Sequence, residues 1–189
     1  MDDLCDHQKN RYQEMKKGIL FLGLAFLGGK AFSQTSVRLN IELHDVQHLV
    51  INPDQSTVTL AYHTLEDYQN GVESVQKAHL SVFSTSGYEV KVKLANQDFV
   101  KVGQAQTEKI PAPLIRVKAA ASHAGQAVNT SNGFLATNQE TIISSDSPTL
   151  NGLFDVTYTG PGADGLMQYV EKNNTVTFTN DVLYSIETR

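Results

Sequence analysis

Apolar and polar residues alternate with a period of two along much of this chain. Val37, Leu39, Ile41 and Leu43 are separated by Arg38, Asn40 and Glu42. The spacing recurs at Val58-Leu60-Tyr62, at Tyr88-Val90-Val92-Leu94 against Glu89, Lys91 and Lys93, at Phe154-Val156-Tyr158, at Val176-Phe178 and at Val182-Tyr184-Ile186. Successive side chains of an extended backbone point to opposite faces, so each segment is predicted as a strand with one dry and one wet face. Antiparallel sheets packed on one side have this pattern. Turn-forming residues separate the segments at Asn52-Pro53-Asp54, Ser86-Gly87, Gly160-Pro161-Gly162 and Asn173-Asn174.

One segment departs from the alternation. Thr64-Leu65-Glu66-Asp67-Tyr68-Gln69-Asn70-Gly71 offers an N-cap threonine, acids in the first turn and a closing glycine, which predicts a helix of one to two turns. In residues 103–133, Pro111, Pro113 and the stretch Ala119–Gly125 interrupt any long element. A strand over Leu114–Lys118 between irregular loops is expected, with a helical turn at Ala119–Ala124 as the alternative. Short strands with turn signals and almost no helix predict an all-β fold, an antiparallel β-sandwich, with a barrel as the runner-up.

The N-terminal region reads differently. Lys16 and Lys17 precede the apolar run Ile19–Leu27, and Ala31-Phe32-Ser33 places small residues at the two positions a signal peptidase inspects. The run is interrupted by glycines and falls short of the roughly 20 apolar residues that a membrane-spanning helix needs. A signal peptide over residues 15–33, cleaved after Ser33, is therefore expected, with no stable membrane span afterwards. The only cysteine, Cys5, precedes the apolar run, which argues against a lipoprotein signal. Residues 1–14 are acidic and polar, unlike an export leader, so Met15 is expected to be the true start and 1–14 an upstream mis-start or disordered segment. Residues 34–189 then form a single β-sandwich domain.

Composition sharpens this picture. Of 15 basic and 20 acidic residues, 5 and 4 precede Gln34, so the remainder is more acidic than the whole chain, at −6 against −5. No basic stripe supports nucleic-acid binding. Without Cys5, neither disulfides nor thiol chemistry is available to the exported part.

Catalytic signatures are sparse. There is no Gly-x-Ser-x-Gly elbow, no phosphate-binding glycine loop and no His-Glu-x-x-His pair. His44 and His48 have helical spacing within a strand-like pattern, which favours separate surface or edge histidines over a metal pair. Ser122-His123 are neighbours in sequence, whereas a hydrolase triad is defined by geometry. Asp155, Asp164 and Asp181 lie in or near the GPGADG loop, which holds one carboxylate, Asp164, and lacks the alternating ladder of a calcium loop. An enzyme would need a paired-carboxylate cleft, for instance Glu66 or Asp67 facing another acid. No catalytic, cofactor-binding or metal residue is assigned. Trp is absent, so sugar contact would fall to tyrosines, and Tyr68 and Tyr169 lie outside the apolar strand phases.

Thr57–Val72 (TVTLAYHTLEDYQNGV), His79–Lys93 (HLSVFSTSGYEVKVK), Phe154–Gly162 (FDVTYTGPG) and Val182–Arg189 (VLYSIETR) carry a family likeness. From Val37 to Arg189 the chain resembles a domain of unknown function in secreted, fimbria-like proteins of Gram-negative bacteria, especially the Bacteroidetes group. The resemblance implies an immunoglobulin-like, pilin-like antiparallel β-sandwich with one short helix, preceded by the signal-peptide helix, and brings no catalytic residues. The cysteine pair of many chaperone–usher pilins is missing, which speaks against that assembly route.

The expectation is an exported non-enzymatic cell-surface or fimbria-like structural or adhesion protein in the periplasm, at the outer cell surface or beyond it. Its expected partners are other copies or surface proteins joined by β-strand addition, through edges at Val37, Leu39, Ile41, Val182, Tyr184 and Ile186. The alternative is a periplasmic or extracellular glycan- or peptidoglycan-binding module using Tyr68 and Tyr169.

Overall fold

The computed structural model describes residues 34–103 and 108–189. The expected signal peptide and the segment before it lie outside the described residues. The chain divides into Met1–Glu42 and Leu43–Arg189, and all described strands belong to the second unit.

Among the described residues, that unit contains twelve strands and one short α-helix, with three short 3-10 turns. The strands are β1 (Gln47–Ile51), β2 (Glu73–Ser84), β3 (Tyr88–Leu94), β4 (Asp98–Lys101), β5 (Lys109–Pro111), β6 (Arg116–Ala121), β7 (Asn129–Thr130), β8 (Asn132–Phe134), β9 (Glu140–Ser145), β10 (Thr149–Thr159), β11 (Phe178–Thr179) and β12 (Val182–Thr188). They form a five-stranded sheet in the order β1-β2-β10-β6-β8, a four-stranded sheet β12-β3-β9-β7 and a three-stranded sheet β11-β4-β5. All pairings are antiparallel. The fold is all-β and sandwich-like.

The core follows the alternation where the alternation is cleanest. Tyr88, Val90, Val92 and Leu94 are fully buried along one face of β3. They meet Leu80 and Val82 of β2, Val117 and Ala119 of β6, and Phe154 and Val156 of β10 in one hydrophobic cluster spanning both larger sheets. Each such side chain contributes about 1.5–3 kcal/mol on leaving water. Ile142 and Ile143 of β9 are adjacent yet both buried, because the β3–β9 ladder shifts register between Val90 and Lys91 and inserts one extra residue on β9.

A second device joins the sheets. The Ser131 N–H donates to the Ile142 carbonyl in the four-stranded sheet, while the Ser131 carbonyl accepts from the Ala119 N–H in the five-stranded sheet. The chain therefore switches sheets between β7 and β8.

The helix forms where its capping residues predicted it. α1 (Leu65–Asn70) starts at Thr64, whose Oγ1 accepts from the Asp67 N–H, while the Asp67 carboxylate accepts from the Thr64 and His63 N–H groups at 2.8 Å. Gly71 ends it with φ at +84°. The helix end docks on the loop after β10 so closely that a Cβ on Gly162 would lie 2.6 Å from the Gln69 carbonyl oxygen.

Several expectations need correction. Val37–Leu43 is not a strand: residues 34–46 carry no ladder, and Val37, Leu39, Ile41 and Leu43 are 90%, 83%, 76% and 88% exposed. Alternation makes a segment competent to join a sheet, but a strand also needs a partner for its backbone. Val58, Leu60 and Tyr62 turn a half-buried phase inward, as alternation implies, but lie outside any ladder. The ladder near Val176 is confined to β11, and the strand expected at Leu114–Lys118 runs as β6 to Ala121, displacing the helical alternative at Ala119–Ala124.

Candidate functional site

β12 lies at the edge of the four-stranded sheet. It pairs with β3 in an unbroken register from Val182 opposite Leu94 to Thr188 opposite Tyr88, and no other ladder includes it among the described residues. Val182, Tyr184 and Ile186 pack against the core, while Leu183 and Glu187 point outward. The sequence expectation named these inward residues, and the structure places them on an edge strand.

A buried polar chain secures this edge. Tyr184 Oη lies 2.5 Å from Tyr158 Oη, which lies 3.2 Å from His79 Nε2, and His79 Nδ1 lies 3.0 Å from Gln55 Oε1. Gln55 Nε2 donates to the Lys77 carbonyl at 2.9 Å, so Oε1 is the end that faces the imidazole and must accept. Nδ1 therefore carries the proton, Nε2 accepts from Tyr158, and Tyr158 accepts from Tyr184. The chain is satisfied with a neutral histidine. Burial lowers the His79 pKa and raises those of Tyr158 and Tyr184 above the usual phenol value. Because β2, β10 and β12 supply the histidine and tyrosines, the chain ties the two larger sheets together beneath the edge.

Sequence reading missed His79, and β2 with it. Leu80 faces Phe154 while Gln76 faces Val156, so two extra residues of β2 bulge opposite Asp155. Ala78 takes φ +47° there, and His79 and Leu80 can then both be buried. The bulge breaks the period-two signal that would have revealed the strand. Asp155 caps it, accepting from the Ala78 N–H at 2.8 Å, Ser122 Oγ at 2.6 Å and Lys77 Nζ at 2.6 Å. Burial opposes ionisation, but the hydrogen bonds from Lys77, Ser122 and Ala78 outweigh it and hold the carboxyl at about 2.

On the outer face of β3 and β12, Glu187 stands opposite Glu89. Lys91 lies between them, with Nζ 2.5 Å from Glu187 and 3.8 Å from Glu89. The hydrogen bond that Lys91 donates to Glu187 is the main reason the Lys91 pKa is raised. At the end of β12, the Asp45 carboxylate accepts from Thr85 at 2.6 Å, Ser86 at 3.0 Å and Thr188 at 3.5 Å, fixing the approach to β1 beside the C-terminal end of the edge strand.

The remaining candidates are engaged with neighbours of their own. Tyr68 packs on Tyr62 with centroids 5.2 Å apart, and Tyr169 packs edge-on against Phe178 at 5.8 Å. His48 lies within β1, so its helical spacing from His44 is not realised. Ser122 donates its hydroxyl to Asp155. Among the described residues, no three His, Cys, Asp or Glu side chains converge as a metal site would require, and no helix is long and apolar enough to cross a membrane.

No protein-family model matches the chain, and no curated protein matches it.

Proposed function

We propose that this chain is an exported, non-enzymatic, fimbria-like structural or adhesion protein of the cell surface, with a pilin-like sandwich as its building block. The observation that carries the reading is the coexistence of an amphipathic, strand-competent segment at Val37–Leu43, exposed on all four apolar side chains, with an edge strand, β12, paired on one side. Free edges are ordinarily covered or blunted, and strand addition satisfies edge and segment together. The non-enzymatic reading is supported by the use made of reactive groups. His79 is buried in a neutral polar chain, and Ser122 and Asp155 serve the β2 bulge. The resemblance to secreted fimbria-like domains and the export leader expected at residues 15–33 support the location.

Expression of the full chain in a Gram-negative host, followed by protease treatment and antibody labelling of intact cells, tests this reading. Labelled, protease-sensitive material outside the cell in assemblies larger than a monomer is the expected result. Retention in the cytosol with full protease protection would overturn it.

A further inference from the structure

We propose that the outer face of β6 and β8 holds a binding site for an acidic saccharide, with Arg116 and Lys118 meeting its anionic groups. The site does not require self-assembly, and it rests on the surface reading above only for where such a ligand is met.

The residues come together by register. Arg116 and Lys118 are two apart on β6, so both are exposed on the outer face, about 7 Å apart along the strand. β8, the edge of the five-stranded sheet, sets Phe134 opposite Arg116 and Asn132 opposite Lys118. Arg116 Cζ lies 4.2 Å from the centroid of the Phe134 ring, and Phe134 remains 47% exposed. A guanidinium stacked on a ring is held in place yet keeps its in-plane N–H groups, which meet an oxyanion in pairs. Beside this pair, where the chain switches sheets between β7 and β8, a groove of about 290 Å³ is lined by Lys118, Ala119, Thr130, Ser131 and Asn132. Lys118, Thr130 and Asn132 bring an ammonium, a hydroxyl and an amide to it, all three exposed.

Charge identifies the occupant. Lys77, Lys91, Lys101, Lys109 and Arg189 each lie within 3.9 Å of a carboxylate, whereas among the described residues neither Arg116 nor Lys118 has one so near. The carboxylates on the same side of the sheet are engaged. Glu73 accepts from Thr159, the neighbour of Arg116 on β10, and Asp155 holds the β2 bulge. In a chain of net charge −5, two adjacent cations are therefore left without a counterion, and an anion from outside supplies it.

The rest of the surface selects a saccharide. A nucleic acid presents successive phosphates and needs a longer run of cations than this pair. The groove lies at the lower end of the roughly 300–1,000 Å³ typical of small-molecule sites, so it takes a sugar unit or two. Its hydroxyl and amide groups match sugar hydroxyls, and the exposed part of the Phe134 ring offers apolar area to a sugar's C–H face.

Calorimetric titration of the full chain at low salt tests the site. The probes are an oligogalacturonate, its methyl ester, a sulfated neutral oligosaccharide of the same length, and oligo-dT. The expected result is binding of the oligogalacturonate or the sulfated oligosaccharide, the tighter of the two naming the anion, and none of the methyl ester. Arg116→Ala and Lys118→Ala should each weaken that binding at least about fivefold, with unchanged thermal unfolding because both side chains are exposed. Lys172→Ala removes an exposed charge that does not line the groove and should change affinity less than about twofold. Binding of neither charged saccharide would overturn the inference, as would equal binding of the methyl ester. An equal loss from Lys172→Ala would reduce the attraction to overall charge and overturn the site, and tighter binding of oligo-dT would overturn the saccharide. None of these results alters the outcome of labelling and protease treatment on intact cells, so the site and the surface reading fail separately.

Discussion

Replacing Asp155 should weaken the whole domain, because this carboxylate holds the bulge that lets His79 and Leu80 enter the core together. Its pKa of about 2 in the fold, against about 3.9 for an unperturbed aspartate, corresponds to about 2.5 kcal/mol of stability at neutral pH. The side chain is only 13% exposed, so solvent screening takes little from that figure, whereas Lys77 is 76% exposed and its ion pair contributes the least secure part. Asp155→Ala leaves the Ala78 N–H and the Ser122 hydroxyl without their acceptor and should cost about 2–3 kcal/mol. Asp155→Asn keeps Oδ1, which both groups use, and should cost about 1 kcal/mol. Urea unfolding from pH 7 downward is the assay. Because the folded pKa is depressed, the ionised carboxylate stabilises fully above about pH 4, and its advantage over asparagine is lost as pH falls through about 2. An Asp155→Ala loss below about 0.5 kcal/mol, or an Asp–Asn gap that does not narrow with acid, would refute this account of the bulge.

Further predictions concern the same framework. His79 is held neutral by burial, so its folded pKa lies below the unfolded value and its contribution to stability is complete above about pH 6.5 and declines as pH falls below it. Replacing it with glutamine should lower stability at pH 7.5 and flatten the pH dependence between 7 and 5, as measured by thermal unfolding. Gly162→Ala should destabilise by about 1–3 kcal/mol, because its Cβ meets backbone atoms of Gln69, Asn70 and Gly71 at 2.6–2.9 Å, and urea titration reads the loss directly. Tyr184→Phe removes the outermost donor of the buried chain but leaves Tyr158 bonded to His79, so it should cost about 1 kcal/mol and increase amide exchange along β12.

How much of the architecture was legible depended on whether a segment's partner was regular. Tyr88–Leu94 alternates without interruption, pairs on both sides, and is buried on the face the sequence marks. Thr64, Asp67 and Gly71 specify their helix locally, so its limits were readable from three residues. β2 was hidden because its bulge shifts the phase within the strand, and the acceptor that stabilises the bulge, Asp155, lies 77 residues away from Ala78. The buried chain under β12 was equally illegible, since Gln55, His79, Tyr158 and Tyr184 come from four separate segments. Val37–Leu43 shows the opposite failure: the alternation is as clean as in β3, yet the segment has no ladder among the described residues.

That unpaired segment is the centre of the functional proposal, and light scattering on the full chain over a range of concentrations tests it most directly. The comparison is with a version carrying Leu39→Asp and Ile41→Asp, two residues so exposed that their replacement leaves the core untouched. The proposal predicts a mass that rises above the monomer with concentration in the wild type and stays monomeric in the double variant, with the same circular dichroism for both. A wild type that remains monomeric throughout, or a double variant that assembles equally well, would contradict it.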